Sequence, residues 1–264
     1  MKSSVTFLVF AAVGLWISWV FQAAILNLLG VTWNQEELGQ WGDTFGALNA
    51  LFASLGFGAA IYTLNVQQRQ IARDRFDTSF FELLRLFVEA RDRVSFSHTQ
   101  PYVKAKTQSP SGHQNTSRLS FIRQANLAST ARGIAAFQQA WLEVKFWVPN
   151  TRAPRENYID AYEKYINSRT ENTMGPYFRL LYAILKRIQD DEHLSESDKN
   201  KYGNLIRGQL SNYELAIAGL NGMSTVSKDF SKLAIRFRLF KYTTGVRRRL
   251  LMLHYPKIAF LPRG

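Results

Sequence analysis

Two long apolar runs dominate the first part of the chain. Residues 5–29 and residues 45–64 each contain no charged side chain. At about 1.5 Å per residue, either run is long enough as a helix to cross a hydrocarbon layer of roughly 30 Å. The pattern therefore predicts two membrane spans that form a transmembrane hairpin over residues 1–65.

A cleaved signal peptide is the alternative interpretation of the first run, because Lys2 precedes it. The run is longer than the apolar core of such a signal, and no pair of small residues follows at the spacing of a cleavage site. Basic residues mark the cytoplasmic side of a span. Because the segment between the runs is acidic and Arg69 follows the second run, we expect both termini in the cytoplasm.

The second span carries residues suited to contact between helices, namely Gly42, Asp43, Gly46, Asn49 and Ala53. Small residues at helical spacing let two helices approach closely in lipid, and a polar amide there needs a hydrogen-bond partner. Packing within the hairpin is the simpler interpretation and the one favoured. Assembly of several hairpins into a polar-lined pore is the other.

The pattern then becomes helical and amphipathic. Apolar residues recur every three or four positions over 66–96, which predicts a juxtamembrane helix. Polar residues, Pro and Gly over 97–118 predict a loop. The remaining segment 119–264 predicts a helical cytoplasmic domain with helices over about 120–146, from Pro154, from Pro176, over 195–220 and over 229–241. No convincing strand pattern is present, so the predicted fold is all-α.

Charge is distributed unevenly along the chain. The whole chain has a net charge of +13, while residues 1–65 hold Lys2 against Glu36, Glu37 and Asp43. The hairpin thus has a net charge of −2 and the remainder a net charge of +15. With the predicted topology, the basic domain lies in the cytoplasm, where it can meet both anionic lipid and nucleic acid. Arg247, Arg248 and Arg249 form the densest basic patch. The chain has no cysteine, so it has no disulfide and no thiolate metal site.

The sequence contains few patterns typical of a catalytic site. No phosphate-binding glycine loop, nucleophile elbow or paired zinc-binding histidines are present. Arg93 and His98, Arg187 and His193, and Arg249 and His254 have the spacing of the arginine–histidine motif of helical HEPN ribonucleases, but chance produces such pairs in an arginine-rich chain. We therefore expect no enzyme activity, no metal and no cofactor, with a ribonuclease as the least favoured alternative.

Three stretches resemble the family of phage abortive infection proteins, which are membrane-anchored bacterial defence factors. They are residues 42–69 with the Gly-Asp-Thr-Phe-Gly opening, residues 75–86, and residues 177–222. Phe87 stands where the family commonly has a histidine, which argues against a role for that position. The resemblance implies defence against phage at the bacterial inner membrane, by arrest or death of the infected cell.

The third stretch contains polar residues between apolar helix positions, which are Arg179, Arg207, Gln209, Ser211, Glu214 and Asn221. A buried Arg–Glu network that fixes helix packing is the favoured interpretation, and a surface that senses infection is the alternative. Our leading hypothesis is a homo-oligomeric effector that senses infection and perturbs the membrane. The second is a membrane-tethered module that captures nucleic acid, a phage protein or a partner defence protein.

Overall fold

The computed structural model describes residues 14, 16–18, 21, 28–30, 35–108, 129–224 and 227–261. Most of the predicted first span, residues 5–29, therefore lies outside the described residues, and so does the hairpin as a pair of helices. The chain divides into two compact units, Met1–Gln68 and Arg69–Gly264.

The first long element is helix α1, Gln35–Arg93. It includes the predicted second span and residues 66–93 of the juxtamembrane helix predicted over 66–96, while residues 95–96 form a strand. The helix begins earlier than the apolar run does, because Gln35 and the following acidic residues suit a first helical turn, where the helix dipole favours negative charge. From Asn49 to Val66 every side chain is exposed.

This exposed part of α1 is strongly apolar, with its large side chains open on all sides. Within the described residues, one helix is long and apolar enough to cross a membrane, judged by length and composition. A soluble helix buries one apolar stripe and exposes a polar face. An apolar surface on every side of a helix is instead typical of a segment surrounded by lipid.

In its described residues, the second unit consists of helices and a small antiparallel strand pair. After α1 come β1 Ser95–Phe96, α2 Gln100–Gln108, β2 Ala131–Arg132, α3 Ile134–Trp147, α4 Arg155–Tyr162, a π-helical segment Glu163–Asn167, α5 Ser168–Asp190, α6 Glu196–Gln209, α7 Asn212–Met223, α8 Lys228–Arg236 and α9 Gly245–His254. Two 3₁₀ turns, Leu239–Tyr242 and Lys257–Phe260, flank α9. The described part of the chain is thus mainly helical, as the predicted all-α class requires.

Helix α7 is the centre of this unit. Nine of its residues, from Glu214 to Met223, are buried, and it packs against α3, α4, α8 and α9. The later part of α1 joins the same core through aromatic rings, because Phe76 and Phe80 each lie 4.9 Å from the ring of Tyr202 and Phe87 lies 4.8 Å from that of Tyr177. Burial of such rings supplies much of the free energy of folding.

Several predicted boundaries differ from the structure. Helix α2 lies inside the segment predicted as a loop, because Tyr102 and Val103 are buried and Tyr102 stacks on His98 at 4.1 Å. Within the helix predicted over 120–146, residues 120–128 lie outside the described residues, residues 131–132 pair as a strand, and α3 begins at Ile134 after Gly133, which adopts a positive φ.

The helix starts and ends predicted from proline and serine positions also differ in part from the structure. Pro154 immediately precedes α4, as expected, but Pro176 lies inside α5 rather than at a helix start. The helix predicted over 195–220 is two helices, because Ser211 caps the start of α7 and interrupts the run at Leu210. The helix predicted over 229–241 ends at Arg236, and α9, which contains Arg247–Arg249, was not predicted.

Candidate functional site

A cleft with charged, polar and aromatic lining residues lies between α5 and the connection from α7 to α8. It has a volume of about 580 Å³, and we call it the α5 cleft. Its lining residues are Asn167, Glu171, Gly175, Phe178, Arg179, Tyr182, Asn221, Ser224, Ser227, Asp229 and Phe230. The volume falls within the range of small-molecule sites, which is roughly 300–1,000 Å³.

One wall of the cleft is a face of α5 and of the π-helical turn before it, where the lining residues recur every four positions. Asn167, Glu171, Gly175 and Arg179 follow one another at intervals of four residues, so they lie on one face of the helix. The first of them ends the π-helical segment Glu163–Asn167. Single π-helical turns inside α-helices are often found at functional sites.

Gly175 gives this wall its shape. A methyl group added at this position would lie 3.3 Å from Nη1 of Arg179 and 3.5 Å from Cγ of Glu171. The two charged side chains therefore converge over the surface that the glycine leaves open. A glycine in a helix interior costs roughly 0.5–1 kcal/mol relative to alanine, so its presence here trades stability for space.

Asn221 forms the opposite wall and is held firmly in place. Its Oδ1 accepts hydrogen bonds from the hydroxyl of Tyr162 at 3.1 Å and from that of Ser227 at 3.4 Å. Burial raises the pKa of Tyr162 far above its ordinary value, so the phenol stays protonated and remains a donor. Arg179 and Asn221, both predicted as site residues, thus meet in one cleft.

Arg207 and Glu214 are both buried, as the predicted network requires, but they do not pair with each other. Arg207 donates to the backbone oxygens of Phe237 and Arg238 at 3.4 and 3.2 Å. Glu214 accepts from the hydroxyl of Tyr177 at 2.8 Å. Within the described residues, the buried Arg207 and Glu214 thus have separate partners, and the predicted Arg–Glu pair is not formed between them.

Ser211 and Gln209 lie at that break. Ser211 and Glu214 form a capping box, in which the backbone N–H of Ser211 donates to Glu214 Oε2 at 2.7 Å. The side chain of Gln209 is exposed, and its backbone oxygen accepts from Arg91 at 3.1 Å. Both residues therefore serve the join between helices, and neither lines the α5 cleft.

The predicted basic patch is partly occupied by contacts within the chain. The guanidinium of Arg247 lies 4.4 Å from the ring centre of Tyr213. Arg248 donates to the backbone oxygen of Lys241 at 3.1 Å and lies over the ring of Phe260. Arg249 is exposed. Arg247 and Arg248 thus anchor α9, which leaves Arg249 as the most accessible of the three.

A buried acid–histidine cluster was not predicted. Nδ1 of His98 lies 2.8 Å from Glu143 Oε2, and its Nε2 lies 2.9 Å from Gln139 Oε1. Thr99 donates to the same carboxylate through its backbone N–H and its hydroxyl. Glu143 is 45 positions away in sequence, and its isolated carboxylate on an apolar helix face was the available signal. Both ring nitrogens of His98 are engaged.

The other histidines of the arginine–histidine pairs have different environments. His193 lines a separate polar pocket with Arg69 and Arg73. His254 is half-buried, and burial together with Arg155 lowers its pKa. Among the described residues, no group of three potential ligands could hold a metal ion.

The residues predicted to pack or line a pore lie in the first unit. Gly46, Asn49 and Ala53 are exposed, and nothing approaches the position of a side chain at Gly46. The side chain of Asn49 forms no hydrogen bond within the described part of the chain. The side chains of Gly42 and Asp43 lie outside the described residues.

The described residues are thus largely helical, with one membrane-span-like helix among them and a cleft in the second unit. Residues 169–245 match the model of a family described as "Putative phage abortive infection protein". The match confirms the resemblance for the third stretch and includes every lining residue of the α5 cleft except Asn167. No curated protein and no solved structure matches the chain.

Proposed function

We propose that the protein is an anti-phage defence effector that is anchored in the bacterial inner membrane. Its second unit senses infection from the cytoplasm, and its apolar segments assemble and perturb the membrane. The family match over residues 169–245 supports the defence role. The observation that carries the membrane role is the apolar surface of α1, which is open on all sides from Asn49 to Val66.

Exposed apolar surface of this extent has a large cost in water. Phe52, Leu55 and Phe57 are 65%, 60% and 68% exposed. Each such side chain gains roughly 1.5–3 kcal/mol when it is removed from water. A bilayer provides that gain without any protein partner, and the arginines that follow the segment suit a cytoplasmic exit.

Asn49 supports assembly of the apolar segments. The amide lies within the apolar segment and forms no hydrogen bond inside the described part of the chain. Ser54, by contrast, donates to the backbone oxygens of Ala50 and Leu51, both at 2.9 Å. Because an unpaired amide is costly in lipid, Asn49 favours contact with another helix, and Gly46 lies on the adjoining turn.

The test is a comparison of three leucine variants in cells that carry the gene and are infected with phage. Gly46→Leu and Asn49→Leu are expected to abolish protection and the loss of membrane potential during infection. Ser54→Leu is the matched control, since its hydroxyl is satisfied by its own helix and its removal leaves no group without a partner. Plating efficiency and a potential-sensitive dye give the two readouts.

If both variants protect as well as the parent chain and the dye trace is unchanged, the membrane-perturbing role is refuted. Cell fractionation is the separate test of anchoring, and recovery of the chain in the soluble fraction would refute it. Charge reversal at the exposed Arg249 distinguishes the membrane effector from the alternative, a module that captures nucleic acid. A membrane effector tolerates that change, whereas a nucleic-acid-binding module loses protection.

A further inference from the structure

We propose that the α5 cleft binds a small zwitterion of the amino-acid class, with Arg179 holding its carboxylate and Glu171 its ammonium group. This inference concerns binding by the cleft and does not depend on the role in defence.

The first argument is the charge on α5. A side-chain carbon at Gly175 would lie 3.3 Å from Nη1 of Arg179 and 3.5 Å from the Cγ methylene of Glu171, and the two side chains form no ion pair with each other. Neither side chain has a hydrogen-bonding or ion-pair partner among the described residues. Two unpaired side chains of opposite charge that flank the same glycine suit a ligand that carries both complementary charges.

The second argument is the geometry of the two groups. A guanidinium presents a planar fork that matches a carboxylate with two parallel hydrogen bonds, whereas a carboxylate accepts from the three donors of an ammonium group. In an amino acid, the carboxylate and the ammonium group are both bonded to one atom, the α-carbon. The open surface at Gly175 leaves room for that atom, which any larger residue would occupy.

The third argument concerns the remainder of the cleft. Asp229 is already paired with Lys232, at 2.9 Å, so Glu171 is the acidic group left for a ligand. The rings of Phe178, Tyr182 and Phe230 supply apolar surface beside the charges. The cleft therefore favours an amino acid with an aromatic side chain over a small polar one.

The experiment uses the full chain in detergent and isothermal titration calorimetry with three probes. L-Phenylalanine carries both charges, 3-phenylpropionate lacks the ammonium group and phenethylamine lacks the carboxylate. We expect phenylalanine to bind at least about tenfold more tightly than either half, because each charge-assisted hydrogen bond contributes about that factor or more. Equal binding of phenylalanine and 3-phenylpropionate, or no binding of phenylalanine, would overturn the proposal.

Variants assign the two charges. Arg179→Gln and Glu171→Gln should each weaken phenylalanine binding about tenfold or more. Arg249→Gln is the control for loss of an exposed arginine elsewhere and should change the affinity less than about twofold. Arg179 and Glu171 are both exposed, so these variants should fold, which circular dichroism confirms. Unchanged affinity in Arg179→Gln contradicts the assignment.

Gly175→Ala provides a separate check. The added methyl group fills the gap between the charges, while alanine is the better helix former, so weaker binding cannot be attributed to loss of the helix. We expect a decrease in affinity with an unchanged or raised melting temperature. Binding equal to that of the parent chain would refute the proposed position of the ligand.

Discussion

The buried Glu143 gives the sharpest prediction about stability. Its carboxylate is 0% exposed and lies 2.8 Å from Nδ1 of His98. The backbone N–H of Thr99 lies 3.2 Å from both carboxylate oxygens, and the hydroxyl of Thr99 donates to one of them. The carboxylate therefore joins the start of α2 to the middle of α3 through several donors.

Glu143→Gln conserves the volume but replaces one acceptor oxygen by an amide NH₂ group, which then faces donors. Removal of one partner from a buried charged network costs about 2–5 kcal/mol, because the remaining donors lose their acceptor. For a domain of this size, 1 kcal/mol corresponds to about 2–4 °C in melting temperature. A loss of about 3 kcal/mol therefore predicts a decrease of about 6–12 °C.

The assay is thermal unfolding of the full chain in detergent, followed by near-ultraviolet circular dichroism. Glu82→Gln is the matched control, because Glu82 is exposed and pairs with Arg85 on the same helix. We expect the melting temperature of the control to match that of the parent chain. A decrease of less than about 2 °C in Glu143→Gln would refute the assigned role of the carboxylate.

The pH dependence follows from the same cluster. Burial alone raises the pKa of Glu143, but hydrogen bonds from His98 and Thr99 together outweigh burial and hold that pKa below its usual range. A carboxyl group with a lowered pKa in the folded state stabilises the fold above its unfolded pKa, near 4.3, and loses this effect as the pH falls further. Glu143→Gln should lose that part of the acid sensitivity, as measured by unfolding at several pH values.

Three other changes test the packing and ionisation of the second unit. Gly203→Ala should lower the free energy of unfolding in urea by about 1–3 kcal/mol, because the new methyl group would lie 2.5 Å from the ring of Phe237. Gly208→Ala is the control and should be neutral or stabilising, because the space around Gly208 is open. Tyr177→Phe should cost about 1–3 kcal/mol, since buried Glu214 loses its hydroxyl donor, and an unchanged unfolding midpoint would contradict this. His254→Phe should reduce the loss of stability as the pH falls below about 6.5, because a histidine with a lowered folded pKa stabilises the fold above its unfolded pKa.

Periodicity predicted the helical fold because most helices of this chain bury one apolar stripe. The residues Phe137, Trp141 and Val144 of α3, for example, were expected to be buried, and they are. Ile134 was expected to share that stripe but is 45% exposed, because the helix begins at this residue and its first turn lies at the surface.

The boundaries could not be predicted where tertiary contacts override local signals. Pro176 lies inside α5, because buried residues on either side of it, Met174 and Tyr177, hold the helix in the core. Helix α2 is polar in composition and forms because Tyr102 stacks on a histidine that another part of the fold positions. Neither stabilising contact can be recognised from the local sequence around Pro176 or Tyr102, because each depends on the tertiary fold.

The candidate site was only partly predictable for the same reason. Arg179 and Asn221 were selected as polar residues among apolar ones, and the fold brings both to the α5 cleft. Glu171 and Gly175 were not selected, although they lie on the same helix face as Arg179. Their role in the cleft depends on how the side chains of Arg179 and Glu171 lie beside Gly175, and only the three-dimensional structure shows this arrangement.

The polar residues selected from the sequence separate into two groups by their partners. Glu214 and Arg207 are buried and hydrogen-bonded within the second unit, so their substitution disrupts the fold and any function with it. Arg179 and Asn49 are exposed and have no polar partner within the described residues. Because neither contributes a polar contact to the described fold, substitution at these two positions separates loss of defence from loss of stability. A loss of protection in a variant that melts normally would then identify a contact made with another molecule.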